Sequence, residues 1–153
     1  MASESEALRI GVLHGPNLNL LGRREPEVYG RVTLEEIDRR LVALGVELGV
    51  EVECHQANGE GELVDRVQEL GDRVAGFVVN AGAYTHTSIA LLDALVGVGL
   101  PFVEVHLSNI HAREAFRRRS LLAHRAVGVV CGFGAESYLL GLRGLVARLR
   151  ERV

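Results

Sequence analysis

The sequence predicts an α/β domain built on a five-stranded, parallel, doubly wound sheet. Three observations predict it. Five short apolar runs alternate with longer stretches of helical periodicity along 153 residues, which argues for parallel βαβ units with right-handed crossovers. The chain carries 48% hydrophobic and 24% charged residues, enough apolar surface for one sizeable core and too much for wholesale disorder. No internal repeat, linker or low-complexity segment divides it, so residues 1–153 read as one domain.

The elements follow in order. Leu8 to Leu13 reads as a buried strand after a polar tail over about residues 1–7. Thr33-Leu34-Glu35-Glu36 is a capping box opening a helix to about Leu48, with Ile37, Leu41, Leu44 and Leu48 on one face. Val50 to His55 alternates as a second strand. Glu60 to Leu70 has Leu63, Val64, Val67 and Leu70 at helical spacing, and Gly71 is its expected stop. Ala75 to Val79 is a third strand. Thr87 or Ser88 caps a third helix to about Val98. Pro101 to His106 and Ala126 to Cys131 are strands four and five, and a last helix runs from about Ala135 to Arg150. Five strands in this arrangement predict a flavodoxin-like sheet. Two stretches fit neither period: His14 to Arg31, and the basic Ser108 to His124. Loops this long in a compact domain are usually functional or disordered.

Composition removes whole classes of chemistry. All 17 basic residues are arginine. Without lysine there is no Schiff base, no pyridoxal-phosphate anchor and no Walker A lysine. A net charge of −3 argues against wrapping a phosphate backbone. With no Trp, three Tyr and four Phe, stacking platforms for flavin or single strands are not expected. Cys54 and Cys131 form no framework spacing, and the acidic start lacks a signal-peptide pattern. The longest apolar stretch, about Ile89 to Val103, is broken by Asp93 and Pro101, so no membrane span is expected. A cytoplasmic location is the expectation.

In open α/β sheets, ligands bind beyond the carboxyl ends of the strands. Strand one ends at His14-Gly15-Pro16-Asn17, strand two at His55-Gln56-Ala57-Asn58, strand three at Asn80 before Gly82 to Ser88, and strand four at His106-Leu107-Ser108-Asn109. Four of five strands thus deliver Asn, His or Gln to one edge, the pattern of a small polar ligand. No short metal-ligand spacing appears and acidic residues are absent from the strand ends, so a metal site is not expected. Gly132-Phe133-Gly134 comes after the last strand, where it reads as a tight turn rather than a dinucleotide fingerprint.

Three longer motifs resemble a known family. Gly15-Pro16-Asn17-Leu18-Asn19-Leu20-Leu21-Gly22-Arg23-Arg24-Glu25-Pro26 with Tyr29-Gly30, then Asn80 through Ser88, then Glu104 through Glu114, are similar in order and spacing to type II 3-dehydroquinate dehydratases. The resemblance spans roughly Leu8 to Leu145. It implies a flavodoxin-like fold, commonly a dodecamer of trimers. It also implies cofactor-independent trans-dehydration of 3-dehydroquinate to 3-dehydroshikimate through an enolate, a step of the shikimate pathway to aromatic amino acids. The absence of lysine agrees, because the unrelated type I enzymes form a lysine imine. Four positions depart from the family: Ala81 stands where Pro is usual, Arg119 where His is common, Leu121 where Tyr is common and Ser137 where Gly is common.

By this resemblance Tyr29 is the base that takes a proton beside the ketone. Only about one free phenol in a thousand is ionised at pH 7, so something must lower its pKa, and a nearby guanidinium favours the phenolate by roughly 1–3 units. A thousandfold gain corresponds to about 4 kcal/mol. Arg24, in the same loop, is the expected source, and Arg23 to Gly30 is expected to close as a lid. His106 matches the proton donor to the departing hydroxyl. Glu104, two residues earlier on the same strand face, would orient the imidazole and favour its charged form. Asn17 matches a residue that holds a water near the enolate oxygen. Asn80, His86, Ser108, Arg117 and the main chain of Leu107 and Ser108 match substrate contacts. Asp93 matches a residue that reaches a neighbouring subunit's site. Two readings compete: a non-catalytic flavodoxin-like module for a sugar acid or anion, and a cofactor-dependent enzyme using the strand-end glycines.

Overall fold

Five parallel strands pair in the order β2-β1-β3-β4-β5. They are β1 (Leu8–His14), β2 (Val50–Gln56), β3 (Gly76–Asn80), β4 (Phe102–His106) and β5 (Gly128–Cys131). Among the described residues, four longer helices connect or follow them: α1 (Leu34–Leu48), α2 (Glu60–Leu70), α3 (Ile89–Val98) and α4 (Glu136–Glu151). The structure, a computed structural model, describes residues 8–23, 27 and 31–151. The order reverses between β1 and β3, which opens a crevice at their carboxyl ends.

Side chains alternate across a strand, and this sorts the core into two layers. Ile10, Val12, Val78, Val103 and Val105 pack with Ile37, Leu41 and Leu44 of α1 and with Tyr138, Leu142 and Leu145 of α4. Leu13, Phe77, Val79 and Phe102 pack with Leu63, Val67 and Leu70 of α2 and with Leu91 and Leu95 of α3. A fully buried leucine such as Leu41 or Leu142 contributes about 2 kcal/mol relative to exposure.

The caps follow the local sequence. Thr33 Oγ1 accepts the Glu36 N–H at 3.2 Å, and Gly49 closes α1 with φ 74°. Ser88, rather than Thr87, caps α3 by accepting the Leu91 N–H at 2.9 Å. Gly71 also ends α2, but with φ −56° and not in a left-handed turn. The expected alternation of Val50 to His55 has no counterpart in burial: only Val50 is buried and residues 52–56 are all half-buried. The reason is that β2 is an edge strand. Its outer positions carry ion pairs, Arg9 to Glu51 at 3.0 Å and Arg73 to Glu53 at 2.6 Å, a common way to blunt an edge. The two long loops are not featureless. They contain 3₁₀ turns at Leu18–Leu20, Ile110–Ala112 and Ala115–Arg117.

Candidate active site

The crevice begins with a close backbone approach. Gly15 donates its N–H to Asn80 O at 2.7 Å. A Cβ at Gly15 would lie 2.2 Å from the Ala81 carbonyl oxygen, so only glycine fits without a shift. Two residues on, Asn17 takes a left-handed conformation with φ 70°. Its N–H is held by Asn58 Oδ1 at 3.0 Å, and that oxygen also accepts from Gln56 Nε2 at 3.0 Å. A non-glycine residue held at positive φ by its surroundings is a frequent mark of a functional position.

Asn17 lines a cleft of about 170 Å³ with Pro16, Leu18, Leu20, Leu21, Ala83 and Arg117. A second lobe of about 100 Å³ shares Leu18 and Arg117. Asn80, His86, His106, Leu107, Ser108 and Arg113 line that lobe.

His86, His106 and Asn80 in the second lobe are braced from behind. His86 Nδ1 lies 2.7 Å from the Arg119 carbonyl. A carbonyl can only accept, so Nδ1 carries the hydrogen. His106 is 5% exposed and its Nε2 lies 2.5 Å from Glu104 Oε2, with Glu104 fully buried. The other carboxylate oxygen accepts from Ser120 Oγ at 2.8 Å. Asn80 donates from Nδ2 to the Tyr138 hydroxyl at 3.0 Å and accepts the Gly82 N–H on Oδ1 at 3.2 Å. Burial pushes the Tyr138 phenol well above its ordinary range, so it stays a neutral hydroxyl. Arg117 is pulled toward Glu114, with Nε 3.4 Å from Oε2.

The sheet edge therefore brings Asn17, Asn80, His86, His106, Leu107, Ser108 and Arg117 around one cleft, with Glu104 directly behind His106. Other strand-end polar residues go elsewhere. His14 is fully buried and faces α1 and α4. His55 pairs with Glu53 at 2.7 Å, and Gln56 and Asn58 hold the Asn17 turn. Asp93 is exposed on α3 and does not line the cleft. Tyr29 and Arg24 lie outside the described residues, as does most of the segment expected to form a lid.

The family profile Dehydroquinase class II matches residues 8–146. The chain belongs to the class II dehydroquinase family. A 3-dehydroquinate dehydratase of Synechococcus is 59% identical over 143 residues, covering 94% of this chain and 97% of that protein. One from Geotalea daltonii is 55% identical over 144 residues, covering 94% and 100%. The crystal structure of a type II dehydroquinase from Propionibacterium acnes superposes with a TM-score of 0.87 at 41% identity, covering 92% and 97%.

The four departures from the class II dehydroquinase pattern all work here through backbone or a turn. Arg119 meets His86 through its carbonyl. Leu121 donates its N–H to Thr85 O at 2.9 Å, and Ala81 accepts the Tyr84 N–H at 3.2 Å. Ser137 Oγ accepts the Phe133 N–H at 3.0 Å and ties down the Gly132–Gly134 turn. Sequence reading missed Ser120, Arg113 and Tyr138. A buried carboxylate beside a histidine needs a second donor, which points to a hydroxyl such as Ser120. Arg113 sits four residues before Arg117 in the same basic loop. Tyr138 gives no local signal, because it looks like any core aromatic.

Proposed function

We propose that this protein is a hydro-lyase that interconverts 3-dehydroquinate and 3-dehydroshikimate. The observation that carries this reading is the end-to-end match to proteins named 3-dehydroquinate dehydratase, at 55–59% identity over more than nine-tenths of the chain. The braced polar cleft at the strand ends supports it.

The reaction removes a proton from carbon beside a ketone. The electron pair passes into an enolate, which then expels hydroxide from the next carbon. We assign the base to Tyr29, activated by the Arg24 guanidinium. Asn17, exposed at the mouth of the cleft, suits a residue that holds a water against the enolate oxygen. We assign His106 as the acid that turns the departing hydroxide into water. With Nε2 bound to Glu104, Nδ1 is the ring nitrogen left to donate. A ring that donates from Nδ1 while Nε2–H is held is an imidazolium, and Glu104 is the charge beside it. Asn80, His86, Ser108 and Arg117, with the Leu107 and Ser108 main chain, offer bonds to the hydroxyls and carboxylate of the substrate.

No helix among the described residues is long and apolar enough to cross a membrane. We assign the protein to the cytoplasm and to the shikimate route, as a dodecamer of trimers in which Asp93 reaches a neighbour's cleft. Light scattering reads the assembly. The reaction is tested by the absorbance of the conjugated product, with purified protein, 3-dehydroquinate and a chelator. Growth of the product band with chelator present is expected, and collapse of turnover in Tyr29→Phe with binding retained. A flat trace from the native protein refutes the assignment.

A further inference from the structure

Asn80 has a side that the cleft does not use. His14 and Asn80 are partners across β1 and β3. By strand alternation both fall with Ile10, Val12 and Val78 on the face covered by α1 and α4. Tyr138, near the start of α4, lies there with its hydroxyl 3.0 Å from Asn80 Nδ2 and 2.8 Å from His14 Nδ1. His14 Nε2 lies 2.7 Å from Asp38 Oδ1 on α1. Asn80, Tyr138 and His14 are all buried, and Asp38 is half-exposed. Four polar groups thus run in a line from the surface of α1 to the cleft.

The hydrogens in this line can be placed by elimination. Asn80 Oδ1 is committed to the Gly82 N–H, so the amide NH₂ is the end that faces Tyr138. The phenol oxygen therefore accepts there, and its single hydrogen goes to His14 Nδ1. The neutral imidazole then carries its own hydrogen on Nε2 and donates it to the Asp38 carboxylate. Every group is satisfied in this direction.

We propose that Tyr138, His14 and Asp38 are positioning residues for Asn80. They hold its amide in one orientation and leave one N–H as the donor that a ligand in the cleft can take. This rests on the reading of Asn80 as a substrate contact. Preorganised donors gain their value from not having to reorient on binding.

A competing use of the same atoms is metal binding, since the ligand atoms of His14, Asp38 and Cys54 lie within 4.8 Å of one another. A cation on Nε2 would move the imidazole hydrogen to Nδ1. The phenol oxygen would then accept from both sides, and its own hydrogen would lose its partner in a buried place, which is costly. The hydrogen-bond order favours the relay.

The test is a double-mutant cycle in the dehydration assay. Tyr138→Phe keeps the ring and removes the hydroxyl. Losing one net hydrogen bond predicts a fall in kcat/KM of about tenfold. In an Asn80→Ala background the same change is expected to add less than about twofold, because Tyr138 acts through Asn80. Asp38→Asn, which still offers an oxygen to Nε2–H, is expected to stay within about threefold of the native protein, and Asp38→Leu to fall below it. An unchanged kcat/KM in Tyr138→Phe, or equal losses in both backgrounds, overturns the relay while the native protein still turns over. Absence of turnover in the native protein overturns the dehydratase reading instead. Should Tyr138→Phe fail to fold, ¹⁵N NMR of the native protein decides. A hydrogen on His14 Nε2 supports the relay and one on Nδ1 overturns it. Uptake of one equivalent of zinc that disappears in Cys54→Ser also overturns it.

Discussion

Glu104→Gln is the sharpest probe of the cleft, because its neighbours dictate how the new amide must sit. Ser120 Oγ accepts the Leu122 and Ala123 N–H groups, each at 3.0 Å, so its own hydrogen is committed to residue 104. The glutamine oxygen must therefore face Ser120, and its NH₂ must face His106 Nε2. That nitrogen now has to accept, so it gives up its hydrogen and the ring keeps one only on Nδ1. The ring also loses the carboxylate beside it. A buried hydrogen bond to a charged group is worth about 1.5–3 kcal/mol, which is roughly 10- to 150-fold in rate. Steady-state product absorbance should show kcat reduced on that scale, with a cooperative melt retained because every polar group keeps a partner. ¹⁵N NMR should place the His106 hydrogen on Nδ1. Adding Ser120→Ala frees the amide to turn its oxygen back and returns the hydrogen to Nε2. A kcat within about twofold of native in Glu104→Gln, or a hydrogen still on Nε2, refutes the reasoning.

Three further outcomes follow from the same structure. Gly15→Ala places a methyl against the Ala81 carbonyl and should cost about 3 kcal/mol in chemical denaturation; native-like stability would mean the turn shifts freely. The Arg73 guanidinium, and then His55, hold the Glu53 carboxyl at about 2, below its ordinary 4.5. Its contribution is therefore present above pH 4.5 and lost as pH falls toward 2. The native protein should be more stable than Glu53→Gln at pH 7, and the gap should close across that window in acid melts; a constant gap would sink the assignment. Burial, and then the Asp38 carboxylate, push the Cys54 thiol far above its ordinary range. Alkylation followed by mass spectrometry should find Cys54 at least about tenfold slower than a free thiol at pH 8; equal rates would contradict it.

The helices were legible because their signals are local. Thr33 and Glu36 are three residues apart, and Ile37, Leu41 and Leu44 recur at the helical period, so α1 needs no distant partner to be recognised. The cleft was legible for a related reason. A parallel sheet puts every strand's carboxyl end on one edge, so Asn80, His106 and Ser108 must gather there once the strands are found. Ser120 was not legible, because its contact with Glu104 depends on the path of residues 108–124, which have turns but no period. Arg113 joined the cleft by the same irregular path.

His14 and His106 show where the local signal ends. Both close a strand at the same edge, and nothing in their immediate sequence separates them. Parity does. His14 shares a face with Ile10 and Val12, against α1 and α4, and so meets Tyr138 and Asp38. His106 shares the opposite face with Phe102 and Glu104, where the loop carrying Ser120 and Leu122 folds over it. His14 is closed off completely by α1 and α4, whereas His106 keeps 5% exposure and lines the cleft. That difference is tertiary, set by helices that begin 20 and more than 100 residues away in the chain. A histidine at a strand end can therefore be assigned to chemistry only after the face it shares has been identified and the helices covering that face have been placed.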